Sequence, residues 1–437
     1  MAWSSSDPAQ LGRGERIDGP ETASIRGKVD PSTHRDEAGF PECPTAWRPQ
    51  PSARGEGAKA GPPTVGACYV APVPDPVTIA ERIRRWPEHG VQGPLTLELY
   101  PTLRCNLDCR FCDTTERHRP GLPELSAQRQ LELLEEAAEL GVQRLFLLGG
   151  GEPLAARALT PALMARAKAL GMEGILTTNG TLMGPELREQ LVSTGWDEVH
   201  FSVDGPTAAI HDGLRGQPGC FRRVVTKICR LRALRDKRGA QLPRIALHFV
   251  LTRTNFHTLE DMVRLGHTLG AFRIDFDALI AYQPEQLALA LQPHEQAQVP
   301  ALARRAMALA ERLGIATTLE HFLDPRNLHR GSDQGALVVE TPAPAHGADD
   351  MLSQLRRAPC LKAWHYIVVQ ADGRTSPCCV LAGQGESVEQ RSLVDVWRSG
   401  DFLEEIRAAM LAGTPPPRCS ECSANILAHE RVVRGLV

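Results

Sequence analysis

Short apolar runs alternate with stretches of helical spacing through the middle of the chain. Apolar runs at six places predict strands, at residues 95–100, 142–148, 174–178, 198–203, 245–251 and 272–280. Between them, apolar residues three and four positions apart predict helices at residues 127–140, 161–169, 185–192, 221–235 and 259–269. This alternation indicates an α/β fold with a parallel sheet, either doubly wound or curled into a partial barrel. Such folds bind ligands at the carboxyl ends of their strands.

The pattern also divides the chain into regions. Residues 1–77 are rich in Pro, Gly, Ser and charge, which predicts a disordered arm, because such a segment buries too little apolar surface to order itself. The alternating region spans residues 78–320. Residues 321–358 look irregular and predict a linker or a cover over the sheet, and residues 359–437 predict a small α+β domain.

Four further elements complete the prediction. A helix at 294–313 and an apolar run at 315–319 close the alternating region. In the C-terminal region, residues 364–376 read as a hairpin with an Asp-Gly turn, and residues 392–410 as an amphipathic helix.

The overall composition excludes several classes of protein. The chain is 42% hydrophobic and 23% charged, as in proteins that bury a core, and its net charge of −3 gives no sign of a nucleic-acid or membrane partner. Its start lacks the apolar core of a signal peptide, and no run approaches the roughly 20 apolar residues of a membrane span. We therefore expect a cytoplasmic protein. In that reducing compartment, its 12 cysteines indicate metal or cluster binding rather than disulfides.

Three cysteines lie directly after the first predicted strand. Cys105, Cys109 and Cys112 have the spacing C-x3-C-x2-C. Three thiolates on one loop can hold three irons of a cubane iron–sulfur cluster and leave the fourth iron without a protein ligand. An open iron can bind a substrate, whereas a structural zinc site is closed by four ligands. The spacing thus predicts an open cluster, with buried cysteines that bind no cofactor as the alternative.

The C-terminal quarter holds a second set of cysteines. These are Cys360, Cys378, Cys379, Cys419 and Cys422. Four cysteines from a hairpin and a later C-x2-C pair can close around either zinc or a second cluster, and the spacing alone does not choose between the two.

The remaining cysteines near the alternating region, Cys220 and Cys229, lie on or beside the helix predicted at 221–235. Small buried cysteines are common on such helices, so we expect both to belong to the core.

Two motifs together resemble the leading motifs of the radical SAM superfamily. They are the three-cysteine loop, with Phe111 before its last cysteine, and the run Gly150-Gly151-Glu152-Pro153 after the second strand. The resemblance implies a partial (β/α)6 TIM-like barrel. It also implies a 4Fe–4S cluster on the three cysteines, whose open iron is chelated by the amine and carboxylate of S-adenosylmethionine (SAM).

The same resemblance implies a set of SAM-binding residues after successive strands. These are Gly150, Gly151, Glu152, Asn179, Ser202, Arg215 and Asn255. The two glycines and Glu152 would contact the SAM amino group, and Ser202 and Arg215 would hold its carboxylate by charge-assisted hydrogen bonds. Asn255 would line the adenosine side, with turn capping as the alternative role of Ser202 and Asn255.

The C-terminal cysteine pattern is similar to the SPASM/twitch auxiliary-cluster domain. The shorter twitch form binds a single cluster, so the resemblance implies one auxiliary 4Fe–4S cluster on Cys360, Cys378, Cys419 and Cys422. Cys379 could replace Cys378 as a ligand, pack in the interior, or donate a hydrogen atom.

The activity that the resemblance implies is reductive cleavage of SAM to a 5′-deoxyadenosyl radical, which abstracts a hydrogen atom from a substrate carbon. The electron would come from a donor such as flavodoxin or ferredoxin. Asp275 and Asp277 share one face of the sixth strand, with Tyr282 beyond, and are acid–base candidates. A structural ion pair is their alternative role.

Two classes of substrate remain open. One is a peptide that is oxidised, crosslinked or epimerised during natural-product maturation. The other is a small molecule, such as an aminosugar or cyclitol, that is dehydrogenated or rearranged. The long N-terminal arm favours the peptide, and the single auxiliary cluster favours the small molecule. The alternative from another class is a non-catalytic iron–sulfur or zinc redox regulator.

Overall fold

One mixed sheet organises the computed structural model, which describes residues 75–112, 123–281, 284–328, 350–422 and 424–437. Its strands are β1 (Thr96–Leu99), β2 (Arg144–Leu147), β3 (Glu173–Thr178), β4 (Glu198–Ser202), β5 (Arg244–Leu251), β6 (Arg273–Ala278), β7 (Ala316–Thr317), β8 (Tyr366–Val369) and β9 (Thr375–Ser376).

Helices connect and cover these strands. The α-helices are α1 (Pro76–Arg84), α2 (Trp86–His89), α3 (Ala127–Glu139), α4 (Leu159–Ala169), α5 (Pro185–Ser193), α6 (Ala208–Arg215), α7 (Cys220–Lys237), α8 (Leu259–Leu269), α9 (Pro293–Gln296), α10 (Val299–Leu313), α11 (Met351–Arg357), α12 (Leu393–Ser399), α13 (Asp401–Leu411) and α14 (Ala424–Leu436). Short 3₁₀ helices lie at Pro153–Ala155, Phe256–Thr258, Pro284–Leu289, Leu319–Leu323, Pro325–Leu328, Lys362–Trp364, Cys379–Leu381 and Pro417–Glu421.

The strand order of the sheet is β7-β6-β5-β4-β3-β2-β1-β8-β9. All neighbouring strands pair in parallel except β8 and β9, which are antiparallel. Strands β1 to β6 thus lie side by side in chain order with helices between them, which is the arrangement of a partial barrel. The predicted α/β fold and its six central strands are confirmed.

Alternation along the strands gives the sheet one apolar and one polar face. Leu97, Leu99, Leu145 and Leu147 are fully buried in the main hydrophobic core, which includes apolar residues of the covering helices. Glu98 lies between two of these leucines in sequence and therefore projects from the opposite face. We call this opposite face the inner face, and the charged groups of the sheet lie on it.

A buried ion-pair network crosses the inner face near the start of β4, β5 and β6. Glu198 accepts a hydrogen bond from His200 (2.8 Å), pairs with Arg244, and lies 3.6 Å from Arg273. Arg273 is fully buried and also pairs with Asp275 at 3.0 Å. Burial works against the ionised carboxylate, but these partners lower the pKa of Glu198 to about 2. The amino-terminal end of the barrel is therefore held by paired charges.

The C-terminal hairpin predicted at 364–376 is present, but its first strand extends the barrel sheet. Strand β8 pairs in parallel with β1, so Tyr366 lies opposite Thr96. The hydroxyls of Tyr100 (2.8 Å) and Tyr366 both donate to the buried carboxylate of Glu98. The hairpin is thus joined to the barrel by backbone and side-chain hydrogen bonds.

The prediction of a single helix at 392–410 is wrong in one respect. The chain forms α12 and α13 there, separated by Gly400, whose backbone is extended (φ −75°, ψ 124°). A Cβ on Gly400 would lie 2.4 Å from the carbonyl oxygen of Val396. The carboxylate of Glu386 accepts from the amide of Phe402 (3.2 Å), which satisfies the first turn of α13.

Other boundaries differ for local reasons. The helix predicted at 294–313 is divided into α9 and α10, because Pro300 lacks an N–H and begins a helix better than it continues one. The run at 315–319 forms only the short strand β7. Helix α1 begins at Pro76, where Asp75 accepts from the amide of Thr78 (3.2 Å), so the last residues of the predicted arm are helical.

Several sequence predictions fall outside the described residues. They include most of the arm at 1–77, Tyr282, and residues 329–349 of the predicted linker. The rest of that linker contains α11, the 3₁₀ helix Pro325–Leu328 and the end of the 3₁₀ helix Leu319–Leu323. The predicted domain boundaries stay predictions.

Candidate active site

The three-cysteine loop (residues 105–112) follows the carboxyl end of β1. Cys109 is buried, and Cys105 and Cys112 are partly exposed. The amide of Cys112 donates to the carbonyl of Cys109 (3.1 Å), and the side chain of Gln286 donates to the carbonyl of Cys112 (2.9 Å). A contact after β6 thus fixes the end of the loop that begins after β1. Burial raises the pKa of Cys105 to about 11.

The glycine run after β2 packs directly against the chain that enters this loop. The amide of Gly151 donates to the carbonyl of Thr102 (3.0 Å), and the amide of Glu152 to that of Arg104 (2.9 Å). A Cβ on Gly151 would lie 2.2 Å from the carbonyl oxygen of Arg104. Gly149 has φ 85°, and a Cβ there would meet the ring of Tyr100 at 2.2 Å. The glycines are therefore needed for this close approach.

Glu152 is the buried acceptor at this position. Its carboxylate accepts from the amide of Leu154 (3.0 Å), the hydroxyl of Thr178 (2.5 Å) and the amide of Asn179 (2.8 Å). Burial raises its pKa, and these donors oppose the shift. A carboxylate can accept about four hydrogen bonds, so Glu152 retains capacity for one more donor, such as an amine.

A side-chain cluster joins the cysteine loop to the turn after β3. Asn179 donates to the side-chain oxygen of Asn106 (3.1 Å), Asn106 donates to the hydroxyl of Thr181 (2.9 Å), and the amide of Thr181 donates back to Asn179 (3.0 Å). The predicted Asn179 therefore lies at the site. Asn106, which the sequence prediction missed, lies within the cysteine motif itself.

Arg215 lies next to the cysteine loop and is ion-paired. Its Nε donates to the fully buried Asp204 (2.5 Å), its Nη1 lies 3.6 Å from Sγ of Cys109, and its guanidinium stacks 5.2 Å from the ring centroid of Phe111. Burial opposes its charge, but Asp204 and Cys109 raise the pKa of Arg215. The site thus holds a permanent cation beside a cysteine of the loop.

Asp204 links Arg215 to the next strand, because its other oxygen accepts from the amide of Val250 (3.0 Å). Asn255 is also fully buried there. Its amide donates to the carbonyls of Asp204 and Val250 (both 2.9 Å), and its oxygen accepts from the amide of Thr252 (2.7 Å). These bonds show the turn-stabilising role of Asn255, and its contact with adenosine stays a prediction. Ser202 ends β4 and is 8% exposed.

The structure separates the two predicted acid–base candidates. Asp275 is 6% exposed and belongs to the buried pair with Arg273. Asp277 is 32% exposed and its Oδ2 lies 2.7 Å from Nε2 of His248 on β5. Sequence reasoning missed His248, although its place in the alternating pattern of β5 could have assigned it to the inner face.

The second cysteine set lines one apolar pocket, which we call the C-terminal pocket. Its walls include Cys360, Cys378, Cys419 and Cys422, together with proline and aliphatic side chains. Cys379 is exposed and does not line it, so the structure favours Cys378 as the ligand and does not support a packing role for Cys379. Burial raises the pKa of Cys378 to about 12 and that of Cys419 to about 11.

The donor sets can be compared with the cofactors expected there. Among the described residues, no three Cys, His, Asp or Glu side chains are arranged around a single metal ion. A soft, all-thiolate donor set in an apolar pocket suits an iron–sulfur cluster, whose several irons spread the ligands apart. Cys220 is fully buried beside Cys109, as expected. Cys229 is partly buried against the main core but is disulfide-bonded, so the expectation that the cysteines form no disulfides is wrong for this residue.

Comparisons with known proteins agree with this geometry. A model of the radical SAM superfamily matches residues 99–266, and a model of an iron–sulfur cluster-binding domain, SPASM, matches residues 360–423. The chain therefore contains a radical SAM domain followed by a SPASM domain. Radical SAM domains use SAM and a 4Fe–4S cluster, which the three-cysteine loop would hold, and the SPASM match implies auxiliary iron–sulfur binding by the C-terminal pocket. That there is one auxiliary cluster stays a prediction.

Similar proteins include a peptide cyclase and a heme synthase. The PqqA peptide cyclase of Granulibacter bethesdensis is 28% identical over 342 residues, which covers 76% of this chain and 80% of that protein. The AdoMet-dependent heme synthase of Nitratidesulfovibrio vulgaris is 24% identical over 321 residues, covering 70% and 79%. The fold resembles that of Streptococcus suis SuiB bound to SAM (TM-score 0.55, 17% identity, 75% of this chain and 71% of SuiB). SuiB has also been solved with its precursor peptide SuiA.

The described helices were also compared with the dimensions of a bilayer. None of them is both long and apolar enough to cross a membrane.

Proposed function

We propose that this radical SAM enzyme modifies a peptide during the maturation of a natural product. It would cleave SAM reductively to a 5′-deoxyadenosyl radical, which abstracts a hydrogen atom from a carbon of the peptide, leading to oxidation, crosslinking or epimerisation. One observation carries the SAM chemistry: the three-cysteine loop lies between a buried acceptor, Glu152, and a buried cation, Arg215. The similarity to the PqqA peptide cyclase and to SuiB, which binds its precursor peptide SuiA, supports a peptide substrate.

The chain's own residues divide the work of holding SAM. Cys105, Cys109 and Cys112 would hold a cluster, which supplies the electron that cleaves SAM. Glu152 can accept from the ammonium group of the amino acid moiety, and the guanidinium of Arg215 can donate to its carboxylate. Because both groups are fixed by hydrogen bonds before SAM binds, little reorganisation is needed.

A small-molecule substrate is the second candidate. The similarity to an AdoMet-dependent heme synthase, whose product is a small molecule, is the observation that favours it. We also propose that the reaction is a net oxidation, that flavodoxin or ferredoxin supplies the electron, and that the enzyme works in the cytoplasm. A reducing compartment keeps cluster-binding thiols free of disulfides.

Anaerobic reconstitution tests the proposal in two steps. The enzyme is first incubated with SAM and dithionite, and 5′-deoxyadenosine is measured by chromatography. Short peptides encoded beside the gene are then added, and their mass is followed for loss of hydrogen or for a crosslink. Failure to form 5′-deoxyadenosine, together with bound zinc and no sulfide, would contradict the enzyme assignment. Modification of a tetrapyrrole or sugar, with no change in any peptide, would favour the second candidate.

A further inference from the structure

A histidine–carboxylate pair lies on the inner face of the barrel, near the carboxyl ends of β5 and β6. Nε2 of His248 and Oδ2 of Asp277 are 2.7 Å apart. The two residues are not direct register partners. His248 lies opposite Asp275 and Asp277 lies opposite Val250, so the pair is offset by two residues along the strands. The side chains are 30% and 32% exposed, so both can be reached by a bound molecule.

The position of this pair differs from that of the other charges of the sheet. Asp275 and Arg273 neutralise each other in the buried network, and Asp204 is paired with Arg215. His248 pairs with Asp277 instead, at 2.7 Å. Among the described residues, Nδ1 of His248 has no hydrogen-bond partner, which leaves one ring nitrogen available for proton exchange.

The pair also lies next to the predicted SAM position. Ser202, at the end of β4, is the register partner of His248 on the adjacent strand. Neighbouring strands are about 4.8 Å apart, so a molecule that contacts Ser202 is within reach of the imidazole. A substrate carbon that reacts with a radical formed from SAM must lie in the same part of the barrel.

We propose that His248 and Asp277 form the proton-transfer pair of this enzyme, in which His248 takes a proton from the substrate and Asp277 positions and stabilises the imidazolium. This inference rests on the proposed function. It adds that the substrate carries an N–H, O–H or S–H group beside the carbon that loses hydrogen.

In this oxidation, the substrate C–H bond breaks homolytically and its hydrogen atom forms the new C–H bond of 5′-deoxyadenosine. The substrate radical loses one electron to an acceptor of the iron–sulfur class. The neighbouring heteroatom gives its proton to His248, and a C=X or new C–X bond forms. One hydrogen atom, one electron and one proton therefore leave the substrate.

The electrostatic surroundings suit this role. Among the described residues, the groups with the largest electrostatic effect on His248 are acidic: Asp277 and Asp275 on β6, and Asp204 after β4. Burial acts to lower the pKa of His248, but these carboxylates raise it above its usual value. A general base works best when its pKa is close to the operating pH, and a raised histidine pKa meets that condition.

The first test needs no substrate. Deuterium exchange at the imidazole Cε1 position, followed by mass spectrometry across pH, gives the pKa of each histidine in the reconstituted enzyme. We expect the pKa of His248 to lie above the usual histidine value, and to fall in Asp277→Asn, which removes the adjacent carboxylate charge. If His248 has the usual histidine pKa, and Asp277→Asn leaves that pKa unchanged, the proposed proton-transfer pair is wrong.

The second test uses the peptide that reacts in the assay above. We expect the amount of product per 5′-deoxyadenosine to fall by about 10² or more in His248→Gln, and by less in Asp277→Asn, whose pH profile should shift to lower pH because its imidazole has a lower pKa and loses its proton earlier. His257 is exposed in the 3₁₀ helix that follows β5, so His257→Gln should match the wild type. Thermal melting checks that each variant folds. An unchanged ratio in His248→Gln would overturn the proposal.

The outcomes separate this inference from the proposed function. If the wild type forms no 5′-deoxyadenosine, the proposed function fails, while the exchange measurement still decides whether His248 and Asp277 share a proton. If the wild type makes product and His248→Gln makes it equally well, only the inference fails.

Discussion

The two cysteine sites are built in different ways. The first takes three cysteines from one loop, residues 105–112, and places them beside the buried charges of Arg215 and Glu152. The second takes four cysteines from three separate segments and surrounds them with apolar side chains. A site that is short of one ligand and lined by fixed charges suits a polar molecule from solution. A site with four ligands and apolar walls can close around its own cofactor.

Removal of the three loop cysteines should have the largest effect on SAM cleavage. In Cys105→Ala with Cys109→Ala and Cys112→Ala, no protein ligand for the first cluster remains, so we expect no 5′-deoxyadenosine above background. The C-terminal pocket should keep its iron and sulfide, which elemental analysis measures. If the triple variant loses all its iron, the two sites are not independent.

Substitution of the charged neighbours should have a smaller effect. Glu152→Ala removes the acceptor of three hydrogen bonds and leaves their buried donors unpaired. A hydrogen bond to a charged group contributes about 1.5–3 kcal/mol, so SAM should bind about 10- to 100-fold more weakly. Equilibrium binding of SAM to the reconstituted protein measures this. Glu405→Gln, at an exposed position, is the control variant. Equal SAM affinities in the two variants would show that Glu152 does not contribute to SAM binding.

Opening the C-terminal pocket should affect the first site least. Cys419→Ala with Cys422→Ala removes half of the predicted ligand set, so the protein should lose about four irons per chain. The part of the electron paramagnetic resonance spectrum that changes when SAM is added should remain. If the double variant no longer responds to SAM, the two cysteine sites do not act independently.

Acid should test the buried ion pairs at the amino-terminal end of the barrel. The pKa of Glu198 is lowered to about 2, so its ion pairs stabilise the fold above the usual glutamate pKa of about 4.3 and lose this contribution as the pH falls toward 2. The shift corresponds to about 3 kcal/mol. Glu198→Gln leaves Arg273 buried without this partner and should lower the free energy of unfolding by roughly 3–5 kcal/mol at pH 7. Denaturant unfolding measures this, and equal stability of the variant and wild type would contradict it.

Much of the first site could be predicted because its residues are close in sequence. The loop cysteines, the glycine run and Asn179 each lie immediately after a strand, so a correct order of strands is enough to bring them together. Glu152 illustrates this, since its donors come from its own turn and from the next strand.

Other features depend on contacts that local patterns do not contain. The pair of His248 and Asp277 requires the register between β5 and β6. The pairing of β8 with β1 joins residues more than 250 positions apart, such as Tyr366 and Glu98. The break at Gly400 depends on the carboxylate of Glu386 from another segment. Strand register and long-range capping are set by tertiary packing, and periodicity alone does not give them.

Electron paramagnetic resonance of the reduced protein, with and without SAM, tests the central claim most directly. The account predicts that SAM changes the spectrum of the wild type, because the cluster on the three-cysteine loop has an iron that SAM can bind. The triple variant at Cys105, Cys109 and Cys112 should retain an iron–sulfur signal that SAM does not change. A wild-type spectrum that SAM leaves unaltered, or a SAM-dependent change in the triple variant, would contradict the assignment of an open first site and a closed second one.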